Sequence, residues 1–142
     1  MQKNTQQLIR EYIEQIWNKQ DFEKLDDYLH PNFKDLSLPP NFPDNKEGTK
    51  QWILTTGGSF EHHTTIEEQV TEQEKSILKI RMHLKHIGIW RNVEPTGIEI
   101  NAIGYRFFRM VDGRISEHAA LIDGQAIENQ LRNAVQGCKR AV

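Results

Sequence analysis

At Thr64 the hydrophobic repeat of the chain changes, and this change limits the fold more than any other feature. Before it, Leu8, Ile9, Tyr12, Ile13, Ile16 and Trp17 form one stripe at the helical period, with Arg10, Glu11, Glu14 and Gln15 on the other side. After it, Leu78, Ile80, Met82, Leu84 and His86 alternate with Lys79, Arg81, His83 and Lys85, the pattern of a strand with one apolar and one basic face. Helices first and strands second give an α+β fold, expected as a cone-shaped α+β barrel with the helices packed in the concave face of a curved antiparallel sheet. A length of 142 residues suits one domain, 1–142. The open end of such a cone is a natural ligand cavity.

The remaining elements follow from local signals. Asp21 is an N-cap for a short helix that buries Phe22, Leu25 and Leu29 and ends at Pro31. Pro39, Pro40 and Pro43 mark an extended loop. A third helix is expected from about Asn45 to Leu54, stopped by Gly57-Gly58. Asp112-Gly113 is a hairpin turn joining a long strand, Ile98 to Val111, to its partner, Ile115 to Ile122. A last helix starts at Asp123 and buries Ala126, Ile127 and Leu131.

Charge narrows the function classes. Eighteen basic against 20 acidic side chains give a net charge of −2, without the basic excess of a nucleic-acid binder or a basic membrane-surface protein. The mean hydropathy of −0.70 leaves no bilayer-spanning stretch. One cysteine, Cys138, makes no internal disulfide and sits in a polar tail without a base nearby. The first residues, Met1 to Gln7, lack the apolar core of a secretory signal, so the cytoplasm is the expected location.

Several short motifs occur in a fixed order: Ile16-Trp17-Asn18-Lys19-Gln20-Asp21, His30-Pro31-Asn32-Phe33, Pro39-Pro40, Glu47-Gly48, Arg81, His86-Ile87-Gly88, Pro95-Thr96-Gly97, and Phe108 through His118 followed by Asp123. In this order the chain resembles the SnoaL-like polyketide cyclases, within the broader nuclear-transport-factor-2-like fold that also houses ketosteroid isomerase. It departs from the usual pattern at Ala119, where the family has tryptophan after the histidine, and at Leu36, where histidine commonly follows the aspartate corresponding to Asp35. The resemblance implies a cofactor-free enzyme doing acid/base, aldol-type ring closure on a small polyketide-like or carbonyl substrate. A non-catalytic module binding a small hydrophobic molecule, or a structural dimerisation domain with a filled pocket, are the alternatives.

By resemblance Asp123 is the catalytic acid/base, because an apolar pocket would raise its pKa. The same residue before Gly124 also reads as a helix N-cap. His86, on the apolar strand face, is expected to assist at the rim, or to be a bonded structural histidine. Strand parity puts Glu117, Ala119 and Leu121 on the face of Asp123, and His118 on the other. Tyr12, Trp52, Met82, Trp90, Glu117, Ala119 and Leu121 are the expected pocket residues, with Ala119 widening the cavity. Adjacent residues on a strand point oppositely, so Glu61-His62-His63 is a poor metal site, and no metal or cofactor is expected. The basic face of Lys79, Arg81, His83 and Lys85 is read as solvated or as a homodimer contact with Glu67, Glu68 or Glu72.

Overall fold

The computed structural model describes residues 4–140, with side chains through Gly137; the side chain of Cys138 lies outside this range. Helix α1, Thr5–Tyr12, is capped by the Asn4 side chain, which accepts from the Gln7 N–H at 2.8 Å. It runs into a wider π-helical turn, Ile13–Asn18. All six residues of the predicted stripe are buried. A 3-10 turn, Phe22–Lys24, and the one-turn helix α2, Leu25–Tyr28, lead into strand β1, Leu29–Asp35. Helix α3 is Lys46–Ser59. Strands β2, Phe60–Glu72, β3, Lys75–His86, β4, Glu99–Val111, and β5, Arg114–Ile122, precede helix α4, Gly124–Arg140.

The five strands form one curved, unclosed sheet in the order β1-β5-β4-β3-β2. The three hairpin pairs are antiparallel, but β1 lies parallel to β5. The sheet is therefore mixed, and the short helix expected to continue to Pro31 gives way to a strand at Leu29. Pro31 is compatible because β1 is an edge strand, where a missing N–H breaks no interior ladder. At the opposite edge the Asn18 side chain covers β2: its Oδ1 accepts from the Thr64 N–H at 2.8 Å and its Nδ2 donates to the Thr64 carbonyl at 3.0 Å. The Asp112-Gly113 turn has both residues at positive φ, 51° and 76°, which matches the twist of the β4–β5 hairpin.

The core fills the concave side. Ile9, Tyr12, Ile13 and Ile16 meet Leu78, Ile80, Phe108 and Ile115, all buried. Tyr12 packs edge-on against Tyr28 and Phe108, with ring centroids 6.0 and 5.9 Å apart.

Helix α3 passes through Gly57-Gly58 instead of stopping there. The Ser59 carbonyl at its end accepts from the Ile87 and Gly88 N–H groups at 2.9 and 3.0 Å, which ties the helix to the chain leaving β3. That tie outweighs a glycine penalty of about 1 kcal/mol per residue. The approach is close: a Cβ on Gly88 would stand 2.1 Å from the Gly58 carbonyl oxygen, whereas one on Gly58 would meet nothing within 4 Å. Gly88→Ala is therefore expected to cost about 1–3 kcal/mol, and Gly58→Ala to gain about 0.5–1 kcal/mol. Urea unfolding of both variants checks the opposite signs.

Candidate active site

A cavity of about 440 Å³ opens between α3, α4 and the concave sheet face. Trp52, Phe60, Met82, Leu84, Ile122 and Ile127 give it an apolar lining. Asp35, Ser37, Arg106 and His118 form one bonded polar cluster on its wall, with Trp17 beside them.

The parallel register sets Asp35 directly beside His118. The pairing is fixed by the Leu36 N–H, which donates to the His118 carbonyl at 2.9 Å. In the side chains, His118 Nδ1–H donates to Asp35 Oδ2 at 2.8 Å, and both residues are buried. Asp35 Oδ1 accepts from the Ser37 N–H and hydroxyl at 2.9 and 2.8 Å. A carboxylate only accepts, so Asp35 fixes the tautomer that leaves a lone pair on His118 Nε2. Arg106 Nη1 donates to that Nε2 at 3.3 Å. The guanidinium lies over the Trp17 ring, 4.1 Å from its centroid, and its buried Nε has no hydrogen-bond partner among the described residues.

Electrostatics follow from this packing. Burial alone would raise the Asp35 carboxyl, but the hydrogen bond from His118, with those from Ser37, holds it below the usual carboxylate range. Burial lowers His118; its bond to Asp35 opposes this, the Arg106 charge adds to it, and the net direction is down. Burial also draws Arg106 down to about 10, still cationic at neutral pH. The site at rest is thus a carboxylate, a neutral imidazole and a guanidinium. It is an acceptor oriented by a carboxylate, with a cationic donor next to it.

The sequence-predicted residues divide. Trp52, Met82 and Trp90 line the cavity. Asp123 does not: it is exposed, and its Oδ1 accepts from the Ala126 N–H at 3.0 Å as the N-cap of α4. Ala119, Leu121 and Glu117 lie outside the cavity too. Leu121 is 81% exposed, and Glu117 pairs with Arg109 at 3.5 Å. Strand parity was sound, but the inward face of β5 is that of His118, Ala120 and Ile122. Ala119 therefore does not widen the cavity.

His86 is fully buried in β3 but does not line the cavity. Its Nδ1 accepts from the Thr96 N–H at 3.1 Å, and its ring packs 5.3 Å from that of Phe60. It holds the loop that carries Trp90. Tyr12 lies under the site, where burial raises its hydroxyl pKa, with the Arg106 charge opposing. The basic outer face finds its acid in the same chain, Arg81 bonding Glu67 at 3.0 Å.

The sequence pattern does not single out Arg106, and strand parity places His118 on the face away from Asp123. One signal was present: Ile100, Ala102, Phe108 and Met110 share the parity of Arg106. An arginine within such a row is a buried charge that needs a reason.

The family model of the SnoaL-like polyketide cyclases matches residues 7–131, and the chain belongs to that family. Among solved structures, IdmH from Streptomyces antibioticus, a candidate polyketide cyclase, superposes with a TM-score of 0.82 at 22% identity, over 91% of this chain and 99% of that one. A SnoaL-like polyketide cyclase from Agrobacterium tumefaciens gives 0.76 at 15% identity, over 91% and 98%. A candidate polyketide cyclase from Acidithiobacillus ferrooxidans gives 0.80 at 18%, over 92% and 95%. These likenesses establish the nuclear-transport-factor-2-like fold. No curated protein matches the chain.

The burial of histidines sets an acid limit on stability. His118, His62 and His86 all have pKa values lowered, first of all by burial. In the unfolded chain histidine takes a proton near pH 6.5. Stability is therefore full above about 6.5 and falls as pH drops toward the folded-state values, because the unfolded state binds more protons there. The urea midpoint is expected to decline between pH 7.5 and pH 5, and less steeply in His118→Gln. An unchanged midpoint would contradict the lowered basicity of these rings.

Proposed function

We propose that the protein is a cofactor-free cyclase or isomerase in which His118, not Asp123, moves the proton. The observation that supports this most is the Asp35–His118–Arg106 arrangement on the cavity wall. A buried carboxylate and guanidinium add little to stability compared with apolar side chains of the same size. On a cavity wall they serve chemistry.

The chemistry follows from the donor pattern. A substrate carbonyl oxygen entering beside Arg106 takes over the N–H that the guanidinium gives to His118 Nε2. The freed Nε2 lone pair accepts a proton from the carbon next to that carbonyl. The C–H electron pair moves onto the carbonyl oxygen as an enolate, stabilised by Arg106. The imidazolium is held by the Asp35 carboxylate. For ring closure, the enolate carbon attacks a second carbonyl of the same molecule, a C–C bond forms, and the new alkoxide recovers the proton from His118. For isomerisation the proton returns at another carbon.

The lowered basicity of His118 limits the substrate. A weak base removes protons readily only from an activated carbon, such as one between two carbonyls. The apolar lining of the cavity suits a small polyketide-like body. A module that was only structural would have no use for an open cavity of about 440 Å³.

A homodimer belongs to the same proposal. On the convex face, Ile77 pairs with Phe107, and Tyr105 with Leu121. Ile77, Tyr105 and Leu121 are exposed, and cations and carboxylates surround them in mixed order, Arg81 and Arg109 beside Glu67 and Glu117. A face that is apolar at its centre and carries both signs at its rim is complementary to a second copy of itself. Sedimentation is expected to show a dimer that Leu121→Glu turns into a monomer; a monomeric wild type would remove the idea.

Deuterium exchange at the activated carbon of 2-acetyl-1-tetralone, followed by NMR, tests the chemistry. His118→Ala and Asp35→Asn are expected to lower the catalysed rate by about 100-fold or more. Asp123→Asn, which keeps a good cap, is expected to leave it within about twofold. Loss of exchange in Asp123→Asn with exchange retained in His118→Ala would reverse the assignment.

A further inference from the structure

From the cavity mouth we infer that the substrate carries a carboxylate, seated on Arg91; this rests on the proton-transfer reading above for the position of the reacting carbonyl at the other end.

Arg91 lies in the loop between β3 and β4 and lines the cavity. Its backbone and that of Asn92 have φ of 46° and 63°, a left-handed conformation that non-glycine residues adopt at some cost. Several contacts hold the residue there. Its guanidinium lies over the Trp90 ring, 4.5 Å from the centroid. Its carbonyl accepts from Arg132 Nη2 at 3.0 Å. Gly124 gives it room: a Cβ at that position would stand 2.5 Å from Arg91 Nη2. The Trp90–Val93 bridge closes the loop tip, and the Thr96–His86 bond anchors its base.

The guanidinium is placed and yet replaceable. Arg91 Nη1 donates to Glu128 Oε1 at 3.3 Å, while Arg132 Nε donates to Glu128 Oε2 at 3.1 Å. Two arginines share one carboxylate. If Arg91 turns to a ligand, Glu128 keeps Arg132, so the exchange strands no charge. Arg91 is about half exposed, which allows the turn.

Charge within the cavity points the same way. Among the described lining residues the formally charged groups are Asp35, Arg91 and Arg106, one carboxylate against two guanidiniums. Asp35 is held by His118 and Ser37, and Arg106 faces His118. The excess positive charge thus sits at the mouth, in a protein whose net charge is −2. Along β5 the apolar Ala120 and Ile122 lie between His118, which faces Arg106, and Gly124, which faces Arg91. A single planar fork matches a carboxylate in two-point contact, and its one positive charge balances a monoanion better than a phosphate dianion. The ligand is therefore an acid with an apolar body, its acidic end outward and its reacting carbonyl inward.

Calorimetric titration with 2-naphthoate, its methyl ester and 2-naphthyl phosphate tests this. Wild type is expected to bind naphthoate about 10-fold or more tightly than the ester, the effect of one charge-assisted contact, and tighter than the phosphate. Arg91→Met is expected to bring naphthoate and ester within about twofold while the ester affinity stays unchanged; Arg91→Lys keeps part of the preference. Equal binding of acid and ester by wild type, a preference that survives in Arg91→Met, stronger binding of the phosphate, or no binding of any probe would each overturn the inference. His118→Ala is expected to retain the preference for acid, so the ligand assignment and the catalytic one fail separately.

Discussion

The hydrogen bond from His118 to Asp35 depends on the parallel pairing of the first strand with the last. The two residues are 83 positions apart in sequence and meet because β1 joins the sheet edge next to β5. In that register Asp35 and His118 are neighbours on the inward face. Shifting β1 by one residue would turn Asp35 away from the cavity and leave a buried imidazole without its acceptor. The irregular entry into β1, with a register shift between Leu29 and Lys34, is what delivers the carboxylate at this point.

Around this bond the protein gathers groups that are costly to bury. Arg106 is desolvated but lies on Trp17 and against His118. Trp17 is in turn set by the π-helical turn at the end of α1, which Asn18 fastens to β2. The tryptophan-asparagine pair of the sequence thus has a physical division of labour: one ring under the guanidinium, one amide on the sheet edge. The helical half supplies a lid and a supporting surface, and the sheet supplies the reactive groups.

Much of the fold was legible in the sequence because it depends on local pattern. The α1 stripe, the alternation in β3, the Asp112-Gly113 turn and the Asp123 cap each need only a few neighbouring residues. The site was far less legible. Residues on both faces of β5 are mixed in character: Ala119 and Leu121 look as apolar as Ala120 and Ile122. Parity said which residues share a face but not which face turns inward. Asp123 drew attention as the acid in the family's pattern, yet its place after β5 and before α4 fits a cap. The alternation of β3 points His86 toward a rim, but its neighbours in space, Thr96 and Phe60, make it a buried fastening for a loop.

What the sequence determined by itself was the first helix, the alternation of β3, the turn chemistry and the membership of a family, since these are carried by spacing along one chain. Only the tertiary structure decided that β1 is parallel to β5, that β5 turns His118 inward and leaves Asp123 as an exposed cap, and that Arg106 and Arg91 line one cavity. These outcomes depend on which distant segments pack together, and the energies that select the packing come from burial and hydrogen bonds between residues that no local window contains.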